Sequence, residues 1–283
     1  MDRFDTVRWA LGIAWCAAAL AVLLAITYAA ARALRRHSVI DVAWGFGFAV
    51  VAAVSFAWSS GHGNTATRVL LLVLPVSWGV RLGSYIGYRQ RGAAEDPRYT
   101  DLLDRAQEKS PGVGRNVLAI RRIYLLQGVS MLSISMPVQV GMYLPRGPGG
   151  FAWAGLGVWV IGVFFEAVGD RQLARFKADP ANKGRIMNRG LWAWTRHPNY
   201  FGDACAWWGV YLVVAAQWPG WVTVFAPLAM NLLLARGTGK ATLERHMHDR
   251  PGFAEYVRST SGFFPSPPPL TRAFNRLVAG RRS

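Results

Sequence analysis

Cysteine is scarce in this chain of 283 residues. Only Cys16 and Cys205 are present, and both lie in apolar runs, which excludes a disulfide framework and a cysteine-based zinc site. Acidic residues are also few, 15 against 32 lysines and arginines, for a formal net charge of +17. Charge of either sign is missing from residues 9–31 and 123–145, 23 positions each, and from the 32 positions of 204–235. A bilayer core needs roughly 20 apolar residues per helix, so an ordinary soluble protein is excluded. Disorder is excluded as well, because 52% of the residues are hydrophobic. No Gly-x-Gly-x-x-Gly joins a strand to a helix, and no Walker-type loop occurs, so neither nucleotide-binding fold is expected. There is no internal repeat.

The apolar pattern predicts an all-α polytopic membrane protein, a single integral membrane domain over 1–283. Seven spans are expected at about 9–31, 40–58, 69–88, 123–145, 149–167, 198–217 and 220–236. The intervening segments 32–39, 89–122, 170–197 and 236–283 hold 27 of the 32 basic residues. They follow alternate spans and so share one side. Positive loops stay cytoplasmic, which predicts an outside N-terminus and a cytoplasmic C-terminus. The first span is not read as a cleaved signal, because it is long and its basic residues follow it. This topology, with attraction to anionic headgroups, accounts for the positive charge, so membrane lipids are expected partners. Neither nucleic acid nor metal is expected. The proline-rich tail, 265–283, cannot be helical through its prolines.

Polar groups at membrane depth are expensive and mark function by default. Asp41, Trp44, Gly45 and Phe48 follow one helical face, as do Trp78, Arg81, Tyr85 and Tyr88. Glu166 and Asp170 lie one turn apart at the end of the fifth span. Two readings of Asp41 stand together: a partner of Arg81 that fixes helix register, or a carboxylate facing a substrate cavity. Residues 166–208 form a basic loop feeding into the sixth span. Pro198 suits a first helical position, behind Arg189, Arg196 and His197, where an anion would be held well. Asn199, Asp203 and Trp207 follow at one-turn intervals and offer an amide, a carboxylate and an aromatic plane, a mix that suits a ribose and a heterocycle. The alternative is a positive loop with a proline-started helix and no ligand.

The run Arg189-Gly190-Leu191-Trp192…Arg196-His197-Pro198-Asn199-Tyr200-Phe201-Gly202-Asp203 resembles the steroid 5α-reductase-like family (3-oxo-5α-steroid 4-dehydrogenase, C-terminal) of membrane reductases. It resembles most the bacterial branch described only as a domain of unknown function. Asp41-x-x-Trp44-Gly45, Trp78-x-x-Arg81-Leu82, Asp96-Pro97-Arg98-Tyr99, Glu166…Asp170-x-Gln172…Lys177 and Glu244…Arg250-Pro251-Gly252-Phe253…Tyr256 extend the likeness over about 38–266. The resemblance implies a seven-helix bundle in the bacterial inner (plasma) membrane, with NADPH bound on the cytoplasmic side. It also implies a lipid-like substrate from the bilayer (steroid, isoprenoid or fatty acyl) whose C=C bond, conjugated to a carbonyl, is reduced. The cofactor contacts it implies are Asp170, Arg185, Asn199, Asp203 and Trp207, with Lys177 and Arg196 toward the phosphates. Arg98, Glu166, His197, Tyr200, Glu244 and Tyr256 complete that set. Asp41 takes the place of the family's acid. The family's partner tyrosine falls on Trp78, whose indole N–H donates a hydrogen bond but no proton at neutral pH, and Tyr85 is the substitute two turns along.

The same Arg-His-Pro-Asn-Tyr entry resembles isoprenylcysteine and lipid methyltransferases, which use S-adenosylmethionine, and that is the second reading. A transporter ranks third. No Gly-x-x-x-Gly stripe stands out on a lipid face, so the oligomeric state is open.

Overall fold

A computed structural model describes residues 4–236, 244, 247 and 250–267. The proline-rich tail beyond Pro267 lies outside the described residues. All described elements are helical, and the only strand-like feature among the described residues is a single bridge between Thr195 and Ser261. Two compact units emerge: Met1–Gly155 with Val210–Ala226, and Leu156–Gly209 with Pro227–Ser283.

In the first unit, α1 (Thr6–Leu34) begins where Asp5 accepts the Arg8 N–H at 2.9 Å. A short 3-10 turn leads into α2 (Ile40–Trp58). Asn64 caps α3 (Thr65–Arg89), which runs through Pro75, a residue that membrane helices tolerate better than soluble ones. Between the expected third and fourth spans stands an additional helix, α4 (Pro97–Lys109), started by Asp96 and Pro97. Tyr99, Leu103 and Ala106, at i, i+4 and i+7, form its buried stripe, and they pack into an apolar cluster with Ile40, Leu118 and Ile123. Its other face is charged.

The expected fourth span starts earlier than the hydropathy implied. It comprises α5 (Arg115–Ala119), a π-helical stretch at Ile120–Leu125, α6 (Leu126–Ile134) and α7 (Met136–Gly141). Arg121 and Arg122 ride on the π-helical turn and are exposed. The fifth helix, α8 (Gly150–Ala178), also overruns its expected end. Glu166 and Asp170 therefore lie within a continuous helix and not at its terminus.

In the second unit, α9 (Leu191–Trp194) is a single turn. Then α10 (Pro198–Val214) opens on Pro198 as expected, α11 (Phe225–Arg236) follows a 3-10 turn at Gly220–Val224, and α12 is Phe253–Ser259. Among the described residues five helices are long and apolar enough to cross a bilayer: Thr6–Leu34, His37–Trp58, Thr65–Arg89, Arg115–Gly141 and Gly150–Ala178. The 17 residues of α10 reach only about 25 Å at 1.5 Å per residue. Gly220–Ala235 is likewise a shorter apolar helix.

Glycines decide two of the helix crossings. A Cβ on Gly45 of α2 would lie 2.5 Å from the Gly79 carbonyl oxygen and 2.7 Å from the Gly83 nitrogen on α3. A Cβ on Gly162 of α8 would lie 2.5 Å from the Gly202 carbonyl oxygen of α10. Lipid tails are as apolar as leucine, so membrane helices associate through close backbone approach. Gly79-x-x-x-Gly83 is such a stripe, and it is spent inside the first unit.

Candidate functional site

The Asp96-Pro97-Arg98-Tyr99 motif builds the first cluster. Asp96 caps α4 through the Arg98 N–H at 2.9 Å, and the same carboxylate takes Arg98 Nε at 3.1 Å and Nη2 at 2.8 Å. Arg98 Nη2 also donates to Asp41 Oδ2 at 3.1 Å, and the Tyr99 hydroxyl donates to the other Asp41 oxygen. Burial pushes the Asp96 carboxyl up, but hydrogen bonds from the Arg98 side chain and backbone outweigh it and hold the group below its ordinary range. Burial would lower the Arg98 guanidinium, yet Asp96 and Asp41 keep it firmly charged. Tyr99 is pushed well above the ordinary phenol range by burial first and by the Asp41 charge second. It therefore stays a protonated donor. Glu95, one residue upstream, accepts the N–H groups of His37 and Ser38, which ties this loop to the start of α2.

The partner the structure shows for Asp41 is thus Arg98, where the sequence offered Arg81. Arg98 itself, expected at a cofactor, donates to Asp41 and Asp96. Trp78 is 1% exposed and packs edge-on against Phe48 at 5.5 Å, and Trp44 also meets Phe48 edge-on at 5.1 Å. This is the interior of the α2–α3 crossing. Tyr85 is half-buried and lies under the Arg89 guanidinium at 5.7 Å. Tyr99 had no role assigned from sequence, although it stands beside Arg98 in the motif.

The second cluster surrounds the α8–α10 crossing. Glu166 is 1% exposed, Asp170 5% and Asp203 8%, and Trp207 is fully enclosed. Asn199 and Tyr200 are half-buried at the α10 entry, and Lys177 and Arg185 are exposed. A Cβ on Gly202 would meet Glu166 Cγ at 2.7 Å, so the absence of a side chain at 202 is what admits this carboxylate. Next to it, the Trp192 indole donates to the Gly169 carbonyl at 2.9 Å. Gln172 accepts the Leu191 N–H at 3.0 Å, which seats α9. Gly190 turns there with φ +60, and a Cβ would collide with Gln172.

Four of the expected cofactor residues form a latch. Arg196 donates through Nε to Glu244 at 2.9 Å and through Nη1 to the carbonyls of Val257 at 3.2 Å and Thr260 at 2.6 Å. His197 Nε2 lies 3.0 Å from the same Glu244 oxygen, and its ring stacks on Tyr200 at 5.3 Å. The Tyr256 hydroxyl donates to the Trp192 carbonyl at 2.6 Å. Burial raises Glu244, but hydrogen bonds from His197 and Arg196 outweigh it and hold the carboxyl at about 2. Burial raises the Tyr256 phenol. Arg196, His197, Glu244 and Tyr256 thus bind α12 and the segment after it to the α10 entry. Neither Gln172 nor the latch was foreseen, because their partners are distant in sequence.

Among the described residues no group of three or more His, Cys, Asp or Glu is arranged to hold a metal ion. Long apolar helices enclosing buried carboxylates define the class: a helical integral membrane protein with a polar interior. The family described as "Protein of unknown function (DUF1295)" matches residues 27–260, and the chain belongs to it. A protein of Schizosaccharomyces pombe, itself described as uncharacterized, is 25% identical over 230 residues, covering 71% of this chain. The chain spans 65% of the length of that relative. No solved structure matches.

Proposed function

We propose that the protein is an NADPH-dependent membrane reductase of a C=C bond conjugated to a carbonyl in a lipid. The observation that supports this most is the trio of buried carboxylates, Glu166, Asp170 and Asp203, at the α8–α10 crossing beside Asn199 and Trp207. Buried charges in a membrane helix pair are retained where they bind something. Carboxylates and an amide suit ribose hydroxyls and a carboxamide, an indole suits a heterocycle, and the exposed Lys177 and Arg185 suit phosphates. In kind, these residues fit a dinucleotide. NADPH, when bound, supplies a hydride to the β-carbon of the enone. The chain's own part is to orient the cofactor, exclude water and supply a proton donor. Full-length protein in detergent is expected to oxidise NADPH in the presence of a 3-oxo-Δ4 steroid or another apolar enone. No oxidation across a panel of such enones, together with no NADPH binding, would reject the reading.

The second reading, an S-adenosylmethionine-dependent lipid methyltransferase, draws on the charge of the same cluster. Three buried carboxylates, Glu166, Asp170 and Asp203, give that cluster an acidic character, which suits a sulfonium cation. Methyl transfer to a prenylcysteine analogue without NADPH would select it.

We further propose that α10 and Gly220–Ala235 complete seven spans, with the N-terminus outside and the cofactor on the cytoplasmic side of a bacterial inner membrane. Reporter fusions after α1 and α8 should report the cytoplasm; a periplasmic signal at either would reverse the assignment.

A further inference from the structure

Helix α1 closes on Arg35, the only described non-glycine residue with a positive φ, 54°. Its N–H reaches the Ala31 carbonyl. Glycine is the ordinary residue at such a left-handed helix end, and a side chain there carries backbone strain that persists where function needs it. The Arg35 side chain lines a cavity of about 450 Å³, together with Arg32, Arg115, His37, Asn116 and Glu95. Arg32 donates to Asn116 at 2.8 Å, and Arg115 rests on the exposed Asp104 at 2.6 Å. Glu95, the one acid in the lining, already accepts three backbone N–H groups, from His37, Ser38 and Asp96. Three arginines against Glu95 in the lining and Asp104 beside Arg115 leave the cavity with a net positive charge. Its volume lies within the span usual for small-molecule sites, and guanidinium forks match phosphate oxygens two at a time.

We propose that this cavity binds a phosphate-bearing anion, drawn from an anionic lipid headgroup at the polar end of α1 or from a soluble phosphate ester. The inference does not rest on the reductase reading, because all of the lining residues belong to the first unit and the test uses no dinucleotide.

The full-length protein is placed in phosphatidylcholine nanodiscs. One arm titrates glycerol 3-phosphate by calorimetry. The other measures retention of phosphatidylglycerol over phosphatidylcholine by native mass spectrometry. Wild type is expected to bind in at least one arm: the first alone assigns a soluble ester, the second a headgroup. Arg32→Gln with Arg115→Gln should weaken that binding about tenfold or more. Arg35→Gly should weaken binding while raising the melting temperature, a pairing that a purely structural arginine would not give. Arg105→Gln with Lys109→Gln, on the exposed face of α4 outside the cavity, removes the same charge and should leave affinity within about twofold. Absence of binding in both arms, unchanged binding in the cavity variants, or equal loss in the α4 pair would overturn the proposal.

Discussion

The two glycine-mediated crossings use one device for different ends. At α2–α3, Gly45 meets Gly79 and Gly83 backbone to backbone, Phe46 lies against Gly83, and Phe48 packs edge-on with Trp78 across the same helix pair. At α8–α10, Gly162 meets Gly202, and the space beside the contact takes the carboxylate of Glu166. Aromatic filling gains dispersion and a dry, rigid contact. Burying a carboxylate costs several kcal/mol unless it is paired and hydrogen-bonded. The first crossing is thus apolar scaffold, and the second is the one that the proposed function reads as the site. The first unit keeps its own acid, Asp41, where Arg98 in the first turn of α4 pairs with it.

The largest effect expected is on the backbone contacts. Gly202→Val should abolish folding or cost well over the roughly 1–3 kcal/mol of ordinary overpacking, because both the Gly162 carbonyl and the Glu166 nitrogen stand in the way. Gly45→Val should do the same at the other crossing. Thermal unfolding in detergent reads both, and equal tolerance of valine would break the claim that the helices touch through glycine. Next comes the latch. Arg196→Ala leaves Glu244 to His197 and strands two carbonyls, and removing one partner of a largely buried pair costs up to about 3–5 kcal/mol. Proteolysis after α12 should accelerate accordingly, and an unchanged cleavage rate would mean that the latch is idle.

Smaller effects sharpen the contrast between scaffold and site. Tyr99→Phe removes one hydrogen bond to a carboxylate, about 1.5–3 kcal/mol. Thermal unfolding in detergent reads the loss, and an unchanged melting temperature would mean that the Tyr99–Asp41 bond is idle. The smallest effect is in pH. The Glu244 carboxyl is lowered from 4.5 to about 2 on folding, so its contribution is complete above pH 4.5 and is lost as pH falls toward 2. Proteolysis after α12 should rise over that acid window in wild type and lose its pH dependence in Glu244→Gln.

Much of the helical frame was legible, because uncharged runs and local caps are local signals. Asn199 and Asp203 one turn apart on a proline-started helix could be read directly, and Asp96-Pro97 announces α4 once its buried stripe is noticed. The early start of the fourth span was hidden because Arg121 and Arg122 interrupt the hydropathy, while the π-helical turn carries them outward. The overrun of α8 was hidden because charges after Glu166 look like a loop. Gly79-x-x-x-Gly83 went unnoticed because the stripe packs inward and not toward lipid. The latch joins residues 47 to 64 positions apart, and no local pattern encodes such pairs.

The central claim is that the acid-lined α8–α10 crossing receives a reduced dinucleotide. Thermal unfolding of wild type and Asp203→Asn with saturating NADPH, and separately with S-adenosylmethionine, tests it directly. The account predicts that NADPH raises the wild-type melting temperature by an amount equivalent to about 2.7 kcal/mol at a hundredfold excess over its dissociation constant. It predicts little change in Asp203→Asn, which should itself melt near wild type. No shift with NADPH, an equal shift in the variant, or a shift with S-adenosylmethionine alone would contradict it.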